Sequence, residues 1–138
     1  MRESIKAVSV DEVVLALEQI VVLPPTELFR VAVEEMSKKR LGIACITDVN
    51  QQLIGVLTDG DIRRILLRHH KPIGALFAED VADFMTRNPK TARVGMSLEE
   101  AVLMMEKVDV YDLPVVDEAG KLTGLLHVHS ALKYFLNL

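Results

Sequence analysis

Two spacings of apolar residues alternate along this chain. Leu98, Ala101, Val102 and Met105 recur at steps of 3, 1 and 3, which places them on one face of a helix. Ser97 stands just before them as a helix cap, with Glu99 and Glu100 in the first turn, where the helix dipole favours acids. Leu113–Val116 is a short apolar run with β-branched residues, closed by the turn-forming Asp117-Glu-Ala-Gly120, and Leu122–Val128 follows as a return strand. Ser130–Leu136 has the pattern of a closing helix. Upstream the same series predicts a helix over Thr26–Lys39, a strand at Ile43–Thr47, a turn at Asp48–Gln51, a strand at Leu53–Thr58 and a helix over Asp59–Arg68. Each series is helix, hairpin, helix.

The likeness of the two series is a true repeat. Shifting the chain by 69 residues, without gaps, lays Ala32, Val33, Met36, Lys38, Asp48, Leu53, Gly55 and Leu57 on Ala101, Val102, Met105, Lys107, Asp117, Leu122, Gly124 and Leu126. Eight identities fall within about thirty positions, where average residue usage gives about two. The shift is half the chain, so residues 1–70 and 71–138 read as two copies of one unit. A weaker repeat precedes each copy. Asp80–Thr86 reads as a helical turn leading through Asn88-Pro89 to a strand near Thr91–Val94, and Asp11–Leu17 leads to a strand at Ile20–Leu23. His69–Leu76, with Lys71-Pro72 and Gly74, reads as the linker. One unit has too little core to stand alone, so the expected fold is α+β, with the halves packed about a pseudo-twofold axis.

Composition narrows the class. The chain has 138 residues, half of them apolar and about a quarter charged, which is globular rather than disordered. A net charge of −4 without a basic run argues against nucleic acid as the main partner. The single cysteine, Cys45, lies in an apolar run and reads as a buried small hydrophobe. No stretch approaches the roughly 18–20 apolar residues that cross a bilayer, and the first residues lack the apolar region of a signal peptide, so a cytoplasmic setting is expected. No nucleophile elbow, Walker loop, zinc signature or carboxylate–histidine cluster is present, which argues against an enzyme.

The pattern Ser97-Leu-Glu-Glu-Ala, Met105, Leu113-Pro-Val-Val-Asp117 and Gly120-Lys-Leu-Thr-Gly124-Leu resembles the cystathionine β-synthase (CBS) motif, here present twice. Gly55-Val-Leu-Thr-Asp-Gly-Asp-Ile-Arg-Arg64, with Gly124-Leu-Leu-His-Val-His129 in the other half, is similar to the C-terminal CBS pair of arabinose-5-phosphate isomerases. Ahead of the first copy, Ala16–Pro25 lacks the Asp-x-Met that Asp83-Phe-Met85 supplies ahead of the second. The resemblance implies a regulatory pair that senses a nucleotide or nucleotide-sugar, adenine or cytidine, and modulates an attached or partner enzyme. It also implies a homodimer formed face to face through the helices Asp59–Arg68 and Ser130–Leu136. Whether the chain is part of a larger isomerase or stands alone is left open by the sequence.

Candidate chemistry gathers at Gly55–Arg64, where a strand runs into a helix. Amides opening a helix lack intrahelical acceptors and attract phosphate together with the dipole. Thr58 adds a hydroxyl, Arg63 or Arg64 can neutralise a phosphate, and Asp61 can accept hydrogen bonds from a ribose diol. The resemblance implies the same roles for Thr58 and Asp61, with the base lying against Val22, Leu23, Ile43 and Ala44. The structural alternative is that Asp59 caps the helix and Asp61 merely faces its dipole. In the second half His127 stands for Thr58 and Ser130 for Asp61, so the diol acceptor is lost. His127 and His129 alternate along the expected strand, where they could meet an anionic ligand or pack as ordinary pocket residues. Two histidines without a third ligand at suitable spacing do not predict a metal. A rival from another class is an interaction module that only oligomerises an enzyme around a vestigial pocket.

Overall fold

A computed structural model describes residues 8–136. The fold is α+β and divides into two compact units, Glu18–Pro89 and a second made of residues 8–17 with 90–136, each with its own sheet and core. Among the described residues no helix is long and apolar enough to cross a membrane.

The unit Glu18–Pro89 contains β1 (Val22–Leu23), α1 (Phe29–Lys39), β2 (Ile43–Thr47), β3 (Leu53–Thr58), α2 (Asp59–Arg68), α3 (Ile73–Phe77) and β4 (Thr86–Arg87), with sheet order β1-β2-β3-β4. The hairpin β2–β3 and helix α2 have the bounds expected from the apolar pattern. Helix α1 starts three residues later than Thr26, because the backbone before it is committed elsewhere. The Pro25 and Glu27 carbonyls accept the Ala82 and Val81 N–H groups, and the Phe29 N–H donates to the Glu79 carbonyl. The helix ends at Arg40, which takes a left-handed φ of 57° and donates back to Met36 and Ser37. Between the strands, Asp48 Oδ1 accepts the N–H groups of Asn50 and Gln52 at 2.8 and 3.0 Å, closing the hairpin turn.

Strand alternation divides the apolar residues. Ala44, Ile46 and Leu57 join Phe29, Ala32, Met36 and Ile65 in the core beneath the helices. Ile43, Cys45 and Val56 face the other side of the sheet and are also buried. The expected linker His69–Leu76 is partly helical instead. Pro72 precedes the first turn of α3, where a missing N–H costs nothing, and Leu76 is carried into the core at 2% exposure.

The second unit contains β5 (Ala92–Arg93), α4 (Leu98–Val108), β6 (Asp112–Val116), β7 (Leu122–His127) and α5 (Val128–Leu136), in sheet order β5-β6-β7. Ser97 caps α4 by accepting the Glu100 N–H at 3.1 Å. The core gathers Leu98, Ala101, Met105, Leu113, Val115, Leu126 and Ala131. Helix α5 opens at Val128, two residues before the expected Ser130.

The two repeats of sequence and the two compact units cut the chain differently. β4 pairs with β3, and Val81 and Ala82 bond to the segment ahead of α1, although both follow the linker, while Val14 and Leu15 meet β7. Leu15 and Leu125 exchange both backbone hydrogen bonds, at 2.8 and 3.1 Å. Gly55 and Gly124, identical across the repeat, permit these two approaches. A Cβ on Gly55 would lie 2.6 Å from Met85 Sδ and 2.9 Å from the Thr86 carbonyl, and one on Gly124 would lie 2.7 Å from the Leu15 carbonyl. Each unit thus takes its leading segment from the other repeat.

Candidate functional site

At the end of β3 the backbone of Thr58 is extended, and the next residue is already helical. Thr58 is the cap, one residue earlier than Asp59. Its Oγ1 accepts the Asp61 N–H at 3.2 Å, and Asp61 Oδ2 accepts the Thr58 N–H at 2.9 Å, a reciprocal capping box. Asp59, free of that role, donates its N–H to the Gly42 carbonyl at 3.0 Å, and its carboxylate lies against Gly42. It lines a cavity of about 360 Å³ with Val33, Met36, Arg40, Leu41 and Ile62, apart from Asp61.

Asp61 is 9% exposed, the one buried charged residue among those described. Its second oxygen, Oδ1, accepts Arg64 Nη2 at 2.9 Å and Thr86 Oγ1 at 3.1 Å. The Arg64 guanidinium folds back over Gly60, with both Nη atoms 3.3 Å from where a Cβ would stand. Arg63 is exposed. Thr86 comes from β4 of the other repeat and was not foreseen.

The strand register decides which candidate residues share a face with this junction. Ile43 lies opposite Thr58, Val22 beside Cys45, and Thr86 opposite Val56, so Val22, Ile43, Thr58 and Thr86 occupy one side of the sheet. Leu23 and Ala44 occupy the other. Ala44 is a core residue at 0% exposure and Leu23 packs against the same core, so a base lying on the Thr58 side would meet neither.

In the second unit His127 ends β7 and Asp112 lies directly opposite it. His127 Nδ1 and Asp112 Oδ1 are 2.6 Å apart, with the two side chains 18% and 9% exposed. His129 does not continue the strand. It is exposed in the first turn of α5, its ring 5.0 Å from that of His127 in an edge-on arrangement. Among the described residues no group of three His, Cys, Asp or Glu could hold a metal ion. Asp112 was also missed from sequence: counted back from the Asp117 turn it would face Leu126, and the irregularity between Val115 and Val116 shifts it across from His127.

The CBS domain pattern matches residues 8–68 and again 81–137. The chain is 35% identical, over 72% of its length, to arabinose 5-phosphate isomerase GutQ of Shigella flexneri, and covers 29% of that protein. It is 31% identical, over 95% of its length, to inosine-5'-monophosphate dehydrogenase of Aquifex aeolicus, covering 25% of it. The chain thus spans about a quarter to a third of the length of the curated relatives it matches. Among solved structures, CBSX2 of Arabidopsis thaliana in complex with AMP superposes with a TM-score of 0.83 at 27% identity, covering 95% of this chain and 98% of that one.

Proposed function

The chain belongs to the CBS domain family, as a tandem pair, and we propose that it is a regulatory module that binds a nucleotide or nucleotide-sugar and modulates an enzyme in cis or in trans. The observation that carries this reading is the convergence of a hydroxyl, a carboxylate and a guanidinium at the strand–helix junction Thr58–Arg64. A ribose diol donates to Asp61, and a phosphate accepts hydrogen bonds from the Thr58 hydroxyl, the Gly60 amide and the Arg64 guanidinium. Arg63 adds a second cation at the rim. The base, adenine or cytosine, lies along Val22 and Ile43. The AMP complex of the Arabidopsis protein supports this ligand class.

In this reading the chain supplies regulation and no catalysis, and its enzyme is a sugar-phosphate isomerase of the arabinose 5-phosphate type. The Gly55–Arg64 pattern and the Shigella relative support that assignment. The setting is cytoplasmic. The module forms a twofold homodimer through α2 and α5, where Leu66, Leu67, Leu132 and Leu136 are 49%, 76%, 47% and 81% exposed. A strict monomer in light scattering at tens of micromolar contradicts the dimer. Turnover of arabinose 5-phosphate that tracks the protein peak contradicts the non-catalytic role.

A second reading, an interaction module with a vestigial pocket, is favoured by one fact: Asp61 already has donors from Thr58, Arg64 and Thr86. A thermal-shift screen with adenine, guanine and cytidine nucleotides separates the two. The regulatory reading expects at least one class to raise the melting temperature, and a flat response across all three favours the interaction module.

A further inference from the structure

Asp61 holds three donors, and the three are not equivalent. Oδ2 accepts the Thr58 N–H at 2.9 Å, a backbone donor that would lose its capping partner at a half-buried helix start if the bond were lost. Oδ1 accepts two side chains, Arg64 Nη2 at 2.9 Å and Thr86 Oγ1 at 3.1 Å. Either can turn to water without orphaning a backbone group, since the Arg64 side chain is 47% exposed and Thr86 is exposed. Oδ1 is therefore the exchangeable atom of this carboxylate. A ligand hydroxyl reaching Asp61 competes with the Thr86 hydroxyl for it.

Thr86 is placed where such competition has a consequence. It belongs to β4, two residues long and held to β3 by the pairs Gly55↔Arg87 and Val56↔Thr86. Its hydroxyl ties this short strand to α2, across 25 residues of sequence. Immediately after β4, Asn88 turns the chain with a left-handed φ of 52°, and Pro89 is the last residue of the unit. The strand carrying Thr86 is the one by which the chain leaves the unit.

We propose that Thr86 reports occupancy of the Asp61 site: a ligand hydroxyl replaces the Thr86 hydroxyl on Oδ1, and loss of that tie loosens β4 where the chain departs toward the second unit. This rests on the reading of Asp61 as a ribose acceptor and supplies its route of regulation. Arg64 needs no large movement in the exchange, because its guanidinium already lies over Gly60, at the helix start where a phosphate docks.

The test compares the full chain with Thr86→Val, which keeps the shape and removes the hydroxyl, and Thr86→Ser, which keeps the hydroxyl. AMP and CMP are titrated by calorimetry, and amide exchange is followed over residues 84–88. In the unsubstituted chain the bound nucleotide should speed exchange in β4 by about threefold or more, although ligands generally slow it. Thr86→Val should show that faster exchange without nucleotide and bind about two- to tenfold more tightly, the factor expected when one competing hydrogen bond is removed. Thr86→Ser should match the unsubstituted chain. If nucleotide binds the unsubstituted chain while Thr86→Val changes neither affinity nor exchange, the reporter role is wrong and the nucleotide reading survives. If neither AMP nor CMP binds the unsubstituted chain, both are wrong.

Discussion

At the end of β3 the chain enters α2 through Thr58, Asp59 and Gly60; at the end of β7 it enters α5 through His127, Val128 and His129. The frames around these junctions correspond. In each, a parallel strand, a hairpin and a short returning segment pack against a glycine that admits no side chain. The polar groups do not correspond. Thr58 faces Ile43, takes its capping partner Asp61 from the helix, and is joined by Thr86 from the returning strand. His127 faces Asp112, is followed by Ser130 at the Asp61 place, and has Leu15 on the returning segment where Thr86 would be. The carboxylate has moved from the helix to the strand, and there it is committed to the His127 ring at 2.6 Å. Identity across a repeat therefore forecasts the scaffold and not the site. The glycines and core positions are fixed by packing, which both units must satisfy, while the junction residues answer to whatever each cleft meets.

The shared scaffold can be broken first, and with the largest effect. Gly55→Ala and Gly124→Ala should each cost about 1–3 kcal/mol of stability by overpacking. Gly124→Ala should be slightly the worse, since its Cβ meets the Leu15 carbonyl at 2.7 Å, whereas for Gly55 the closest backbone atom, the Thr86 carbonyl, lies at 2.9 Å and the nearer Met85 sulfur is flexible. Chemical denaturation of the two variants checks this, and a neutral result at either glycine would end the equivalence of the frames.

The difference between the junctions comes next. Asp61→Ala removes half of a capping box and leaves the Thr58 N–H unpaired, so about 1–2 kcal/mol should be lost. Ser130→Ala, at the same place in the repeat, should stay within about 0.5 kcal/mol. Equal losses from the two substitutions would mean that the second helix start depends on Ser130 as the first does on Asp61. A smaller effect is expected at the displaced carboxylate. Asp112→Ala should cost about 1 kcal/mol by stripping His127 of its partner in a mostly buried pair. The same loss in a His127→Ala background would show that the pair is not the cause, which a double-mutant cycle reads directly.

Much of this was legible from residue spacing. The hairpins, the capped helix after Ser97 and the helix Asp59–Arg68 follow from apolar periodicity and turn chemistry, which act within a few residues. The leading segments were not legible in the same way. A fixed shift of 69 lays Leu17 on Thr86, yet the strand register pairs Leu15 with Leu125 as Thr86 pairs with Val56. The spacing in the weakly matching segment differs by two residues, and only the long-range pairing reveals it. The same long-range pairing hid Thr86 from the candidate site. Leu23 and Ala44 were placed against the base on the resemblance, which does not say which face of the sheet a residue takes, and for Ala44 the apolar run Ile43–Ile46 is buried on both faces, so the pattern does not say it either. Helix α3 was masked by Pro72 and Gly74, which mark breaks in general but are tolerated at a first turn.

The central claim is that nucleotide binding rests on the first junction and on the charge of Asp61. Calorimetric titration of the unsubstituted chain, Asp61→Asn and Ser130→Ala with AMP and CMP tests it most directly. Asn can still accept the Thr58 N–H, so the fold is retained while the charged acceptor is lost. A hydrogen bond to a charged acceptor is worth about 1.5–3 kcal/mol, so Asp61→Asn should weaken binding by about ten- to a hundredfold. Ser130→Ala should leave it unchanged. Binding that survives Asp61→Asn and disappears with Ser130→Ala would contradict the account.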